Sequence, residues 1–269
     1  MLRLVTVSLL LTASVGGLLT ACGGAVRDSG TTPSVEYSVS AQQNYERGMK
    51  KLQEESWLEA AKFFGFVKSR FPYSKFAVLA DLRIADAALG AEAYLEAVDQ
   101  YKLFIKFHPT HEMVENGYAA FKIGDAYYHM LPDDWFLVPP AFEKDQTTAH
   151  DAARELANVV KNYAGSPYAK KAKDLYDKTA HLLAAHEWYV AQFYWNRNQP
   201  MGTVLRLRAL LKNYPGVGYD EDALYFLGQA YVKIGHKDDA KKSFQTLIDR
   251  FPAGTKAGDA KQKIAGLGG

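Results

Sequence analysis

The stretch Leu227-Gly228-Gln229-Ala230-Tyr231, continuing through Ala240-Lys241-Lys242-Ser243-Phe244-Gln245-Thr246-Leu247 to Phe251-Pro252, decides the fold. Its apolar residues return at intervals of three and four, which places them on one face of a helix. Proline closes the stretch, as a residue that cannot continue a helix should. Moving outward, the same ending recurs as Phe71-Pro72, His108-Pro109 and Tyr214-Pro215. The first two of these prolines lie 37 residues apart, and so do the last two. A period of that size means stacked helix pairs, so the expected class is all-α.

Leu227, Gly228, Tyr231, Ala240, Phe244, Leu247 and Pro252 fill the small, large and proline positions of a tetratricopeptide repeat. Gly48, Ala60, Phe64 and Pro72 do so in a first repeat, and Ala85, Ala97, Tyr101 and Pro109 in a second. Ala191, Tyr194, Leu207 and Pro215 mark a fourth, with Thr203 in place of the usual alanine. Gly48, Ala85, Gly124, Ala191 and Gly228 stand where two helices approach closely and a larger side chain would force them apart. No pair buries its apolar face alone, so the repeats stack into a superhelix with a concave groove. First helices are expected over 41–54, 78–91, 117–130, 184–197 and 221–234, with one longer helix near 167–197. The third repeat is interrupted. Gly124 and Tyr127 open it, but its second helix begins near Ala149, so about 16 residues are inserted. The insert, 129–150, holds Pro132, Pro139 and Pro140 with Trp135, Phe136 and Phe142. It is either a functional loop or a cover for the repeat beneath. Repeats 1–3 occupy 37–165, and repeats 4–5 with a polar capping helix occupy 166–269.

The N-terminus differs in kind. Arg3 precedes an apolar run from Leu4 to Leu19, too short to span a bilayer, and no acid appears before Asp28. Residues 1–21 therefore read as a signal peptide. Leu19-Thr20-Ala21-Cys22 resembles a lipobox, which makes Cys22, the only cysteine of the chain, an acylated N-terminal residue after cleavage. Residues 22–36 are rich in Gly, Ser, Thr and Pro and read as a flexible tether. With Gly23 rather than aspartate after the cysteine, the expected location is the periplasmic face of the outer membrane. Over the whole chain 32 basic residues balance 30 acidic ones among 269, so nucleic acid is not an expected partner.

Signs of catalysis are few. His108, His111 and Glu112 lie in an inter-repeat turn without a third metal ligand. His181 and His186 are five residues apart and do not share a helix face. Asp133-Asp134 is an adjacent pair in a loop, and no phosphate loop, nucleophile elbow or dinucleotide fingerprint occurs. No catalytic residue, metal or cofactor is expected beyond the lipid on Cys22. The groove carries more information. Its fifth positions are Tyr45, Leu82, Phe121, Trp188 and Tyr225, with Met49, Leu52, Asp86, Tyr118, Asp125, Tyr128, Trp195 and Gln229 around them. Four aromatics of five favour a surface for extended or aromatic-ended peptides. Alternatively several of these rings pack against the next repeat.

Lipobox, tether and five repeats together resemble the BamD family of outer-membrane assembly lipoproteins. Phe107-His108-Pro109-Thr110-His111 resembles that family's Asn-Pro-Thr-His turn, and Asp145-Gln146-Thr147 looks like the stretch resuming its third repeat. Tyr163-Ala164-Gly165-Ser166-Pro167-Tyr168, Tyr189 to Tyr194 and Leu210 to Pro215 are similar to further family segments, so the likeness covers nearly all of 37–255. Departures are Glu143-Lys144-Asp145 for an acidic-basic-acidic loop motif, and Trp135-Phe136 with a double proline for a Gly-containing run. The resemblance implies a non-catalytic scaffold of the β-barrel assembly machinery. Its partners would be a POTRA domain of the barrel protein BamA, unfolded outer-membrane proteins ending in an aromatic residue, and other lipoproteins of the machine. Arg206 aligns with a family arginine at the BamA interface, and Tyr225 is placed with it as a docking residue. Tyr45, Met49, Leu82, Asp86, Phe121 and Tyr128 are the expected peptide groove. The alternatives are a periplasmic lipoprotein organising peptidoglycan or cell-division enzymes, and a cell-wall enzyme using Asp133 and Asp134.

Overall fold

Ser40 begins the first helix: its hydroxyl accepts a hydrogen bond from the Gln43 amide (3.4 Å), satisfying one of the free N–H groups of the first turn. Ser74 does the same for Phe76 (3.2 Å), and the His111 imidazole accepts from Met113 (3.1 Å). The computed structural model describes residues 35–132 and 139–268, within a compact unit running from Val35 to Gly269. Among the described residues there are twelve α-helices and no strand. The first two hairpins are α1 (Ala41–Gln53) with α2 (Trp57–Arg70) and α3 (Lys75–Gly90) with α4 (Tyr94–Phe107). A single turn, α5 (Glu112–Glu115), leads to the third hairpin, α6 (Tyr118–His129) with α7 (Thr147–Asn162). Then come α8 (Ala169–Asn196) with α9 (Pro200–Asn213), α10 (Asp220–Lys233) with α11 (Lys237–Arg250), and the cap α12 (Ala257–Gly266). None of the described helices is long and apolar enough to cross a membrane. Residues 1–21, Cys22, most of the tether and Asp133 to Phe136 lie outside the described residues.

Small-against-large contacts hold each hairpin together. A Cβ added at Gly48 would stand 2.7 Å from Phe64, and one at Gly228 2.5 Å from Phe244, closer than real Cβ atoms come. At Gly124 it would meet Leu156 at 2.8 Å. Phe64 and Phe244 follow their glycines by sixteen residues and Leu156 by twice that, so the interruption sits between the two helices of the third pair. The four buried clusters cross hairpin boundaries. One joins Phe64 to Ala80 and Ala87, and another joins Leu156 and Phe121 to Ala172 and Leu175 of α8. Burial is thus shared between neighbours, as stacking requires.

The hairpin turns repeat as well. Glu55, Glu92, Asn198 and Gly235 all adopt positive φ, seven residues after the small residue of their repeats. In each case the next amide reaches back five residues: Ser56 to Lys51, Ala93 to Ala88, Gln199 to Tyr194 and His236 to Tyr231. That pairing is a Schellman closure, which satisfies carbonyls left free at a helix end. The third repeat lacks it, since the residue after Leu131, at the equivalent position, is Pro132, which has no amide hydrogen to reach back. Second helices end alike, on Phe71, His108, Tyr163, Tyr214 and Phe251, with φ between −127° and −132°. Proline follows four of them and forbids helix at the residue before it. Tyr163, followed by Ala164, reaches the same conformation without one.

Two boundaries differ from those read in the sequence. Helix α6 runs through His129 and α7 starts at Thr147, so the insert is shorter than 129–150 at both ends. Helix α8 begins at Ala169 rather than 167 and supplies both the wall of the third repeat and the first helix of the fourth.

Candidate peptide-binding groove

The groove begins at Tyr45 on α1. Its ring sits between Phe64 (5.5 Å) and Phe76 (5.6 Å), and its hydroxyl accepts from Arg83 Nε (3.4 Å). Arg83 Nη1 donates to Asp86 Oδ2 (2.5 Å), while Asp86 Oδ1 accepts from the hydroxyls of Tyr101 (2.6 Å) and Tyr118 (2.7 Å). One carboxylate therefore ties α3 to α4 and α6, and its arginine ties α3 to α1. Burial pushes both phenols well above the ordinary tyrosine range, and the Asp86 charge adds to this. Asp86 is a structural joint as much as a groove residue.

Leu82 and Phe121 do not face the groove. Leu82 is 0% exposed and Phe121 2%, which corrects the expectation for both. Leu82 packs among Ala85, Val98 and Tyr101 in a core shared by the second and third repeats. Phe121 is covered by Tyr168, stacked at 5.6 Å and 13°, just before the start of α8. An incoming helix replaces the expected solvent at that position. Met49 is half-buried in the first repeat's cluster, and Tyr128 is half-buried with its ring edge-on to His129 (6.0 Å).

In the C-terminal half, Trp188 and Trp195 both pack edge-on against Phe226 (5.3 and 5.6 Å). Lys233 Nζ lies 3.8 Å from the Trp195 ring centroid and Arg197 3.9 Å from that of Phe193, so cations cover two of the rings at this end. Arg206 leaves 41% of its side chain in solvent and pairs loosely with Glu187 at 3.4 Å. Tyr225 donates its hydroxyl to Asp259 of the cap and is half-buried. Its phenol is raised by burial and then by that carboxylate. Arg206 thus presents a reachable charge, whereas Tyr225 is occupied in holding α12.

The histidines have structural employment. His108 lies 3.5 Å from Asp81, and with His111 it flanks Phe104 at ring distances of 5.0 and 5.1 Å. His186 Nδ1 donates to the Phe142 carbonyl (2.7 Å) and His181 Nδ1 to that of Val217 (3.0 Å). The first bond pins the insert's 3-10 turn, Ala141–Glu143, to α8, and the Phe142 ring meets Tyr189 at 5.6 Å. Among the described residues no cluster of His, Cys, Asp and Glu could hold a metal ion. Of the partners of Asp86, the sequence reading placed Tyr118 around the groove and Tyr101 at a repeat position without linking either to the carboxylate, and it missed Arg83. Tyr101 stood out only as a large residue at a packing position, and nothing in the spacing marked its hydroxyl.

A family model described as YfiO, outer membrane lipoprotein, matches residues 38–243. A relative from Caulobacter vibrioides is 26% identical over 77% of this chain, which spans 65% of that protein's length. A relative from Neisseria meningitidis serogroup A is 26% identical over 91% of each chain. Both are named outer membrane protein assembly factor BamD. A thermophilic TPR protein of Thermus thermophilus superimposes with a TM-score of 0.33 at 14% identity, covering 85% of this chain and 98% of its own.

Proposed function

The chain belongs to the YfiO family of outer membrane lipoproteins, and from that premise we propose that it is a lipid-anchored scaffold holding BamA and receiving unfolded outer-membrane proteins. It is a non-catalytic outer membrane protein assembly factor. Cys22 carries the lipid and keeps the repeats at the periplasmic face, and no other covalent group or cofactor takes part. Energy for partner binding comes from burying aromatic anchors, with charges setting orientation. The observation that carries the reading is the family match extending from the end of the tether to α11, across the interrupted third repeat.

On this reading Arg206 docks a POTRA domain of BamA. Its exposed guanidinium, held toward solvent by a single loose pair with Glu187, fits a carboxylate on a partner. Arg206→Glu should abolish co-purification of BamA while far-ultraviolet circular dichroism stays unchanged. Complex retained at parental yield would remove Arg206 from the interface. Cys22→Ala should shift the protein from the membrane to the soluble fraction. Client chains enter over Tyr45, Met49, Asp86 and Tyr128, the groove residues left partly accessible, and other lipoproteins of the machine bind elsewhere on the superhelix.

A further inference from the structure

Between α9, α10 and α11 lies a cleft of about 490 Å³, within the range of pockets that enclose a cluster of side chains. One wall is α9 from Met201 to Arg208 and the other is α11 from Asp239 to Thr246, each about two turns long. Helix α10 lays Leu224 and Leu227 across the floor. All these residues and their chain neighbours fall within 139–268. The rim breaks the repeat pattern. Two residues beyond Ala60, Ala97, Ala152 and Ala240 the chain carries Lys62, Asp99, Arg154 and Lys242, whereas two beyond Thr203 it carries Leu205. Leu205 is 59% exposed, and Met201, one turn before it on the same wall, is 50% exposed. A lone exposed leucine means little, but this pair continues an apolar floor up to the surface. Charge is uneven along the cleft. Asp239 stands at the hairpin-turn end, 3.4 Å from His236, while Lys242 and Arg208 are exposed farther along α11 and α9.

We infer that this cleft seats one amphipathic helix of another protein, with its apolar stripe on Met201 and Leu205 and its carboxylates toward Arg208 and Lys242. A helix satisfies its own backbone groups, whereas an extended segment would press unpaired amides onto Leu224 and Leu227. Walls of two turns match a stripe of apolar residues at i, i+3, i+4 and i+7. Two bases on the rim beyond Asp239 favour an acidic end on that helix. The place is distinct from that of Arg206, which lies two residues from Arg208, about 200° around α9, and faces Glu187 of α8. It gives the scaffold a second docking surface, on the opposite face of the same helix.

The test uses the full chain in detergent and two short, stapled, fluorescent helical peptides. Both carry leucines at i, i+3, i+4 and i+7; one has two glutamates a turn apart at one end, and the other has two lysines there. By anisotropy the glutamate peptide should bind about tenfold tighter, the scale of two rim charge pairs. Leu205→Ser should weaken both peptides about tenfold, and Arg208→Gln with Lys242→Gln should equalise them, all with unchanged melting curves. Arg206→Glu should leave both affinities as they were. Binding of neither peptide, equal binding of the two by the unaltered protein, or affinity that survives Leu205→Ser overturns the assignment. Loss of the peptides in Arg206→Glu merges the two places and overturns it as well, whereas the Arg206 contact itself is judged by BamA alone. Dimerisation of the chain in sedimentation velocity, abolished by Leu205→Ser, would give the cleft to a second copy and likewise overturns it.

Discussion

Asp86 and Asp125 occupy the same position in successive repeats, one residue after Ala85 and Gly124, and they fare differently. Asp86 accepts from two phenols and an arginine. Asp125 is 4% exposed, and its Oδ1 has no hydrogen-bond partner, only His129 at 3.7 Å and Lys171 at 4.0 Å. Two donors are lost: where the second repeat has Tyr101 opposite the helix, the third has Leu156, which cannot donate, and no hydroxyl reaches Asp125 as that of Tyr118 reaches Asp86. Asp86→Ala should therefore cost about 3 kcal/mol, because it strands Arg83 and two hydroxyls. Asp125→Asn should cost less than about 1 kcal/mol, both read from urea midpoints. The tyrosines also fix a pH response. Tyr101 and Tyr118 keep their protons when folded at pH values where the unfolded chain, with its ordinary value of 10.0, releases them. The folded state then binds more protons, so stability is fully present below pH 10 and falls above it. Tyr101→Phe should flatten that fall, measured as urea midpoint against pH.

At the scale of the element, the turns show what spacing conveys and what it hides. Helix pairs, their period and the interruption were legible because they depend on contacts sixteen residues apart within one hairpin, such as Gly48 on Phe64. The left-handed turn residues were not. Gly235 is the residue such a turn favours and Asn198 tolerates it, yet the same position holds Glu55 and Glu92, whose side chains disfavour positive φ. Glu55→Gly should stabilise the protein by about 0.5 kcal/mol by relieving that strain, seen as a higher melting temperature. Nor could spacing separate groove from core at Leu82 and Phe121. Exposure there is decided by what the next repeat lays over the helix, and for Phe121 this is Tyr168 beside α8, outside the repeat pattern. The docking and groove residues were legible as chemistry but not as exposure.

For the molecule as a whole, stability is spread along a row of neighbours and each end needs closing. Helix α12 closes one end by burying Ala257 and Ala260 against the fifth hairpin and by accepting from Tyr225 through Asp259. Lys256 adds its amide to Glu221 (2.7 Å). Truncation after Phe251 should lower the melting temperature and increase binding of a hydrophobic dye, since the last apolar face is left open. An unchanged melting curve would make the cap dispensable.

Helix α8 runs 28 residues, about 42 Å, and belongs to two repeats at once. A chain of independent springs gives way one link at a time, but a rod spliced through two links must let go of both together. Pulled between its ends in an optical trap, the protein should therefore lengthen in fewer and larger jumps than its count of hairpins, with the biggest coming when that splice fails.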